Sequence, residues 1–120
     1  MIRKRTAVRL GAVVATAAIG VGLGTGMASA STTYTANVPG CAGGMVVSFY
    51  SGHDHVRGYV TSTTGDHCSV VLSQSNGNYS PLERTTGGTV WTPEYLDAGI
   101  TSYVVVCNED LGRCATSAAY

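Results

Sequence analysis

The chain has 120 residues, 44% of them hydrophobic, and its seven basic and seven acidic side chains cancel to a formal net charge of zero. That neutrality hides an asymmetry: Arg3, Lys4, Arg5 and Arg9 stand at the very start, and Lys4 is the only lysine. Beyond them only Arg57, Arg84 and Arg113 face all seven acids, a formal −4, which disfavours nucleic acid and anionic membrane as partners and leaves no lysine for Schiff-base or isopeptide chemistry.

The first element is a leader. Four basic residues precede an apolar stretch from Leu10 to about Leu23, and Ala28-Ser29-Ala30 supplies the small-x-small spacing of a cleavage site. This is the pattern of a secretory signal peptide. Gly11, Gly20, Gly22 and Gly24 interrupt the stretch, which is short for a membrane span. The expectation is a helical signal peptide over residues 1–30 and one small domain over residues 31–120, with no stable membrane span in the mature chain. The product is expected outside the cytoplasm, extracellular or at a spore or cell surface.

After the leader no segment carries a 3.6-residue apolar period. Short β-branched and aromatic runs alternate with Gly, Asn, Asp and Ser clusters, the signature of strands and turns. Residues 33–38 form a candidate strand ending at Pro39-Gly40, and residues 45–50 a second, closed by Ser51-Gly52. Residues 55–61 and 68–73 flank Thr64-Gly65-Asp66, which reads as a hairpin connection. Asn76-Gly77 is the strongest turn signal, since that pair suits the positive φ angles of a type I′ turn. Residues 79–85 make a weak strand because Pro81 cannot donate to a ladder. Residues 89–91 follow a Gly87-Gly88 break, Pro93 interrupts again, and Asp97-Ala98-Gly99 turns the chain. Residues 100–107 are the clearest buried strand, and residues 114–120 close the chain. The predicted fold is all-β: a small disulfide-stapled antiparallel β-sandwich, or a meander or barrel, of seven or eight short strands.

Cys41, Cys68, Cys107 and Cys114 all follow the leader, and an even count in a small exported domain reads as a disulfide framework. Three pairings are open. The favoured one is Cys41–Cys68 with Cys107–Cys114, each closing a local loop, worth about 3.5 and about 2.5 kcal/mol in the loop-entropy model. A four-thiolate zinc site lacks the Cys-x-x-Cys spacing it would need.

The order of these elements carries a resemblance. Cys41 with Gly43 and Gly44 precedes an apolar strand, and residues 59–72 run strand, turn, Cys68, strand. Ala98-Gly99, another apolar strand and Gly112-Arg113-Cys114 follow. This resembles the spore-associated protein A-like secreted proteins of filamentous actinobacteria. Cys107 and the acidic loop Asn108-Glu109-Asp110-Leu111 look like additions to that pattern. The resemblance implies an extracellular protein found with spores or aerial hyphae, with no established catalysis, and it brings no catalytic residues.

Few constellations suggest chemistry. His53 and His55 share a strand face, and with His67 or Asp54 they are the candidates for a zinc or copper site, against a plain polar turn. Glu94 and Asp97 can pose as a carboxylate pair, against solvated charges beside Pro93 and Gly99. There is no Gly-x-Ser-x-Gly elbow, and no cofactor or catalytic residue is expected. Trp91 and Tyr95 flank a proline turn, the best partner-binding candidates, against a core role for Trp91. Size and disulfide count are similar to amylase inhibitors of the tendamistat type, although this chain lacks their Trp-Arg-Tyr triplet. The expected function is that of a secreted, monomeric, non-enzymatic surface or spore-associated protein, its partner a protein or cell-surface polymer. The alternative is an inhibitor of an extracellular hydrolase.

Overall fold

The computed structural model describes residues 30–120, and all but the last residue of the expected signal peptide lies outside them. Nine strands follow one another: β1 (Ala30–Val38), β2 (Cys41–Tyr50), β3 (His53–Ser62), β4 (Cys68–Gln74), β5 (Glu83–Thr85), β6 (Gly88–Trp91), β7 (Tyr95–Leu96), β8 (Ser102–Asn108) and β9 (Arg113–Thr116). They form two antiparallel sheets, β1-β2-β3-β6 with β7 also on β3, and β5-β4-β8-β9. The described residues are therefore a β-sandwich.

Period-two alternation decides what each sheet buries. Along β3, Val56, Val60 and Ser62 point inward, and along β8 the inward set is Ser102, Val104, Val106 and Asn108. Met45, Val47, Val70 and Leu72 complete the core, where full burial of a Val or Leu is worth about 1.5–3 kcal/mol. Glycines bring the sheets together. A Cβ at Gly43 would lie 2.6 Å from Val106 Cγ2, and one at Gly58 2.8 Å from Val104 Cγ1. Valines of the second sheet fill the space that these glycines leave.

The strands number nine against the seven or eight expected, the short β7 being the addition, and two turn expectations change. Asn76-Gly77 does not form a two-residue type I′ hairpin, since only Gly77 has positive φ. Gly77 N–H donates to Gln74 O and Gln74 N–H to Asn78 O, so the loop holds three residues with Gly77 in the left-handed position. The two-residue loop with both φ positive is Ser51-Gly52, between the paired residues Tyr50 and His53. Nor is Thr64-Gly65-Asp66 a hairpin connection. β3 pairs with β2, β6 and β7, whereas β4 pairs with β5 and β8, so this segment is a corner between sheets. Both halves of Cys41–Cys68 are buried at that corner, where the disulfide joins β2 to β4. Buried Asn108 gathers the neighbouring loops. Its Nδ2 donates to Pro39 O and Asp66 Oδ2, and its Oδ1 accepts from Asp110 and Leu111 N–H. The second disulfide, Cys107–Cys114, links directly opposed residues of β8 and β9.

Three edges repeat one device. Ser80, Thr92 and Ser117 each donate a backbone N–H to the neighbouring strand, at Leu72, Gly58 and Val104. Each hydroxyl then accepts that same residue's N–H and donates to the carbonyl of its own next residue. Pairing resumes at Glu83–Val70, Tyr95–Val56 and Tyr120–Ser102, three residues onward against two on the partner. These are β-bulges in which a hydroxyl stands in for a ladder carbonyl, and they blunt edges that would otherwise template further pairing. Pro81 and Pro93 fit immediately after the hydroxyl residue, where no ladder donor is needed.

Candidate functional site

The outward face of the first sheet carries several large side chains that the core does not use. On β3 the outward residues are His55, Arg57, Tyr59 and Thr61, and the pairing register sets Trp91 beside Tyr59 and Thr89 beside Thr61. On the other flank Gly44 lies opposite Tyr59, Val46 opposite Arg57 and Ser48 opposite His55. Gly44 is a seat for the tyrosine. A Cβ there would come within 2.6 Å of Tyr34 O and 3.2 Å of Tyr59 Cε1, so only glycine lets the ring lie down over the strand.

The groups form a continuous strip. The Arg57 guanidinium lies 4.1 Å from the Trp91 ring centroid, a cation–π contact, and Tyr59 and Trp91 stand 5.1 Å apart at 41°. Farther along, the Tyr50 and His55 rings stack at 3.8 Å and 14°. The Tyr50 hydroxyl donates to Glu94 Oε1, a bond that raises the phenol pKa, with Arg57 opposing the shift. From His55 to Tyr59 the strip runs about 13 Å along β3. Trp91 keeps 40% of its surface exposed. Among the described residues no carboxylate pairs with Arg57.

Trp91 and Tyr95 do not form one element. In a regular strand residues four apart share a face, but the bulge at Thr92-Pro93 adds a residue and inverts the alternation. Trp91 therefore faces outward beside Tyr59, while Tyr95 pairs with Val56 and packs half-buried on the core. The core role weighed for Trp91 belongs to Tyr95. Arg57, Tyr59 and Tyr50, which the sequence did not single out, join Trp91 through the pairing of β2, β3 and β6.

The histidines are not assembled. His53 and His55 share the outward face, but His55 is covered by Tyr50 and its Nδ1 is buried without a hydrogen-bond partner. His67 sits beyond the far end of β3, roughly 20 Å along the strand direction, where its backbone N–H and Nδ1 engage Asp110. The His67 backbone bond holds the Asp110 pKa down. Asp54 accepts the Tyr120 hydroxyl at 2.8 Å. Among the described residues no group of three or more His, Cys, Asp or Glu is placed to hold a metal ion. Glu94 and Asp97 also part: Glu94 is exposed beside Tyr50, whereas Asp97 is buried, and desolvation raises its pKa.

The described residues enclose no pocket, so a ligand meets this face as an open surface. Among them no helix is long and apolar enough to cross a membrane. No family model matches the chain, and neither a curated protein nor a solved structure is significantly similar to it.

Proposed function

We propose that this is a secreted, non-enzymatic surface protein that holds a cell-envelope or spore-coat polysaccharide against the outward face of its first sheet. The observation that carries the reading is the Arg57–Trp91–Tyr59 cluster, an exposed ring and cation beside a half-buried ring on a sheet with no enclosing pocket. Flat exposed rings offer apolar area at low entropic cost, which suits the faces of sugar rings in an extended polymer. Thr61 and Thr89, whose hydroxyls lie 2.6 Å apart beside the stack, add hydrogen-bonding groups for sugar hydroxyls. The two disulfides are compatible with an oxidising compartment. The cysteine and turn pattern that resembles the spore-associated protein A-like family points to the same setting.

The test is co-sedimentation with purified cell-wall or spore-coat polysaccharide. The reading expects retention that soluble fragments of the same glycan compete away and that Trp91→Ala abolishes. Exclusive recovery in the supernatant would overturn it. The inhibitor reading uses the same residues, because Trp, Tyr and Arg are also the residue types of protein-binding hot spots. It predicts stoichiometric inhibition of an extracellular hydrolase, with no polysaccharide retention.

A further inference from the structure

The sheet edges of the sandwich are not alike. The strands β5, β6, β7 and β9 run two to four residues each, and the hydroxyl bulges at Ser80, Thr92 and Ser117 interrupt pairing beside them. Pro81 and Pro93 stand in two of those bulges, and Glu83, Arg84 and Arg113 put charge on β5 and β9. The edge formed by β1 has none of this. It is nine residues long and contains no proline, no glycine and no charged residue. Its alternation is unbroken from Thr33 to Val38: Thr33, Thr35 and Asn37 are exposed, while Ala36 is buried and Tyr34 and Val38 pack on the core. The Tyr34 ring lies 5.9 Å from that of Tyr120, which holds the strand against the second sheet. Asn37 Oδ1 accepts the Gly43 N–H on the β2 side, at the hairpin end. Among the described residues β1 pairs with β2 alone, so one row of its N–H and C=O groups faces away from the sheet without a strand to meet it.

We infer that β1 pairs antiparallel with β1 of a second copy of this chain, giving a two-fold dimer with one continuous sheet. The other edges select this occupant. If β1 met a different edge of the next copy, the contact would be heterologous and would propagate as a filament, but bulges, prolines and charges close those edges. Pairing of β1 with β1 is isologous. A two-fold axis normal to the sheet matches the strand's donors to its own acceptors, and the assembly closes at two. With that axis at Tyr34, Thr33 of each copy stands opposite Thr35 of the other, on the outward face. Paired threonines of this kind stabilise antiparallel sheets, and an uncharged strand brings no repulsion to the seam of an otherwise acidic domain. The axis also keeps both outward faces on one side. Two copies of the Arg57–Trp91 contact then share a surface, and a repeating polymer that engaged one would meet the second at high effective concentration. The pairing itself does not depend on the binding reading.

Sedimentation equilibrium of the exported protein over a wide range of concentrations tests this. A monomer–dimer equilibrium is expected, with no larger species. The double substitution Thr33→Lys, Thr35→Lys places like charges opposite each other twice, and should raise the dissociation constant at least about tenfold. Both side chains are exposed, so far-ultraviolet circular dichroism should stay that of the wild type. The double substitution Thr33→Glu, Thr35→Glu should weaken the dimer in the same way, and an equimolar mixture of the two variants should restore it as a heterodimer. A wild type that stays monomeric up to about 1 mM overturns the proposal and leaves the edge to another protein's strand. A dimer that both variants retain, or one that the mixture does not restore, overturns it as well.

Discussion

The two solvent-facing surfaces of the sandwich use their side chains differently. On the first sheet Arg57 lies over the exposed Trp91 ring, which tilts against half-buried Tyr59, and Arg57 meets that ring instead of a carboxylate. On the second sheet Ser69, Val71, Val105 and Thr116 surround the Cys107–Cys114 bridge, with Tyr79 and Tyr103 on opposite flanks of Ser73. Arg84 at that surface is neutralised by Glu109 at 3.0 Å. The second surface is closed on itself by a covalent bond and an ion pair. The first leaves rings and charge unspent, so substitutions there should change what the protein holds more than how stably it folds.

The largest effect expected bears on the bond between the two sheets. Paired Cys41→Ser and Cys68→Ser substitutions should cost about 3.5 kcal/mol, against about 2.5 kcal/mol for Cys107→Ser with Cys114→Ser, because the first loop is longer. Denaturant melts of both variants give the comparison, and equal losses would contradict the loop-length argument. Next comes Gly44→Ala, where the added Cβ meets the Tyr34 carbonyl at 2.6 Å. A loss of about 1–3 kcal/mol is expected, since backbone must move, and with it goes the Tyr59 seat and polymer retention. A Gly44→Ala protein that melts and binds like wild type would remove glycine from the account of the face.

Between the two surfaces, Asp97 supplies a pH dependence. Burial raises its folded pKa above the ordinary 3.8, so the folded state holds the proton while the unfolded chain releases it. Its penalty is absent below 3.8, grows as pH rises from there to the raised value, and is constant above. Asp110 acts on the other side: its depressed pKa contributes stability above 3.8 that is lost as pH falls below it. Chemical melts across this range should show wild type losing stability just above pH 3.8, with Asp97→Asn lacking that slope. The same slope in the variant would assign it elsewhere.

How much of this was legible in the sequence varies by element. Alternation along residues 55–61 and the apolar run to residue 107 announced β3 and β8, because a buried face imposes period two. The disulfide pairing followed from nearness along the chain, although Cys41–Cys68 joins sheets instead of closing a local loop within one. What alternation does not carry is the partner of each strand, so Thr64-Gly65-Asp66 looked like a hairpin when it is a corner. It also does not mark where the alternation breaks. Thr92-Pro93 inverts the face between Trp91 and Tyr95, and Ser80-Pro81 is the same signal on the other sheet. A Ser or Thr before a proline within a strand-like run is the cue that would have separated the two rings.

On the proposed reading Trp91 serves binding and not folding. The direct measurement is the thermal midpoint of wild type and Trp91→Ala beside their co-sedimentation with cell-envelope polysaccharide. The variant is expected to stay folded with a loss of no more than about 2 kcal/mol, since the ring keeps 40% of its surface exposed, and to lose retention. A variant that unfolds readily yet is retained when folded would contradict it.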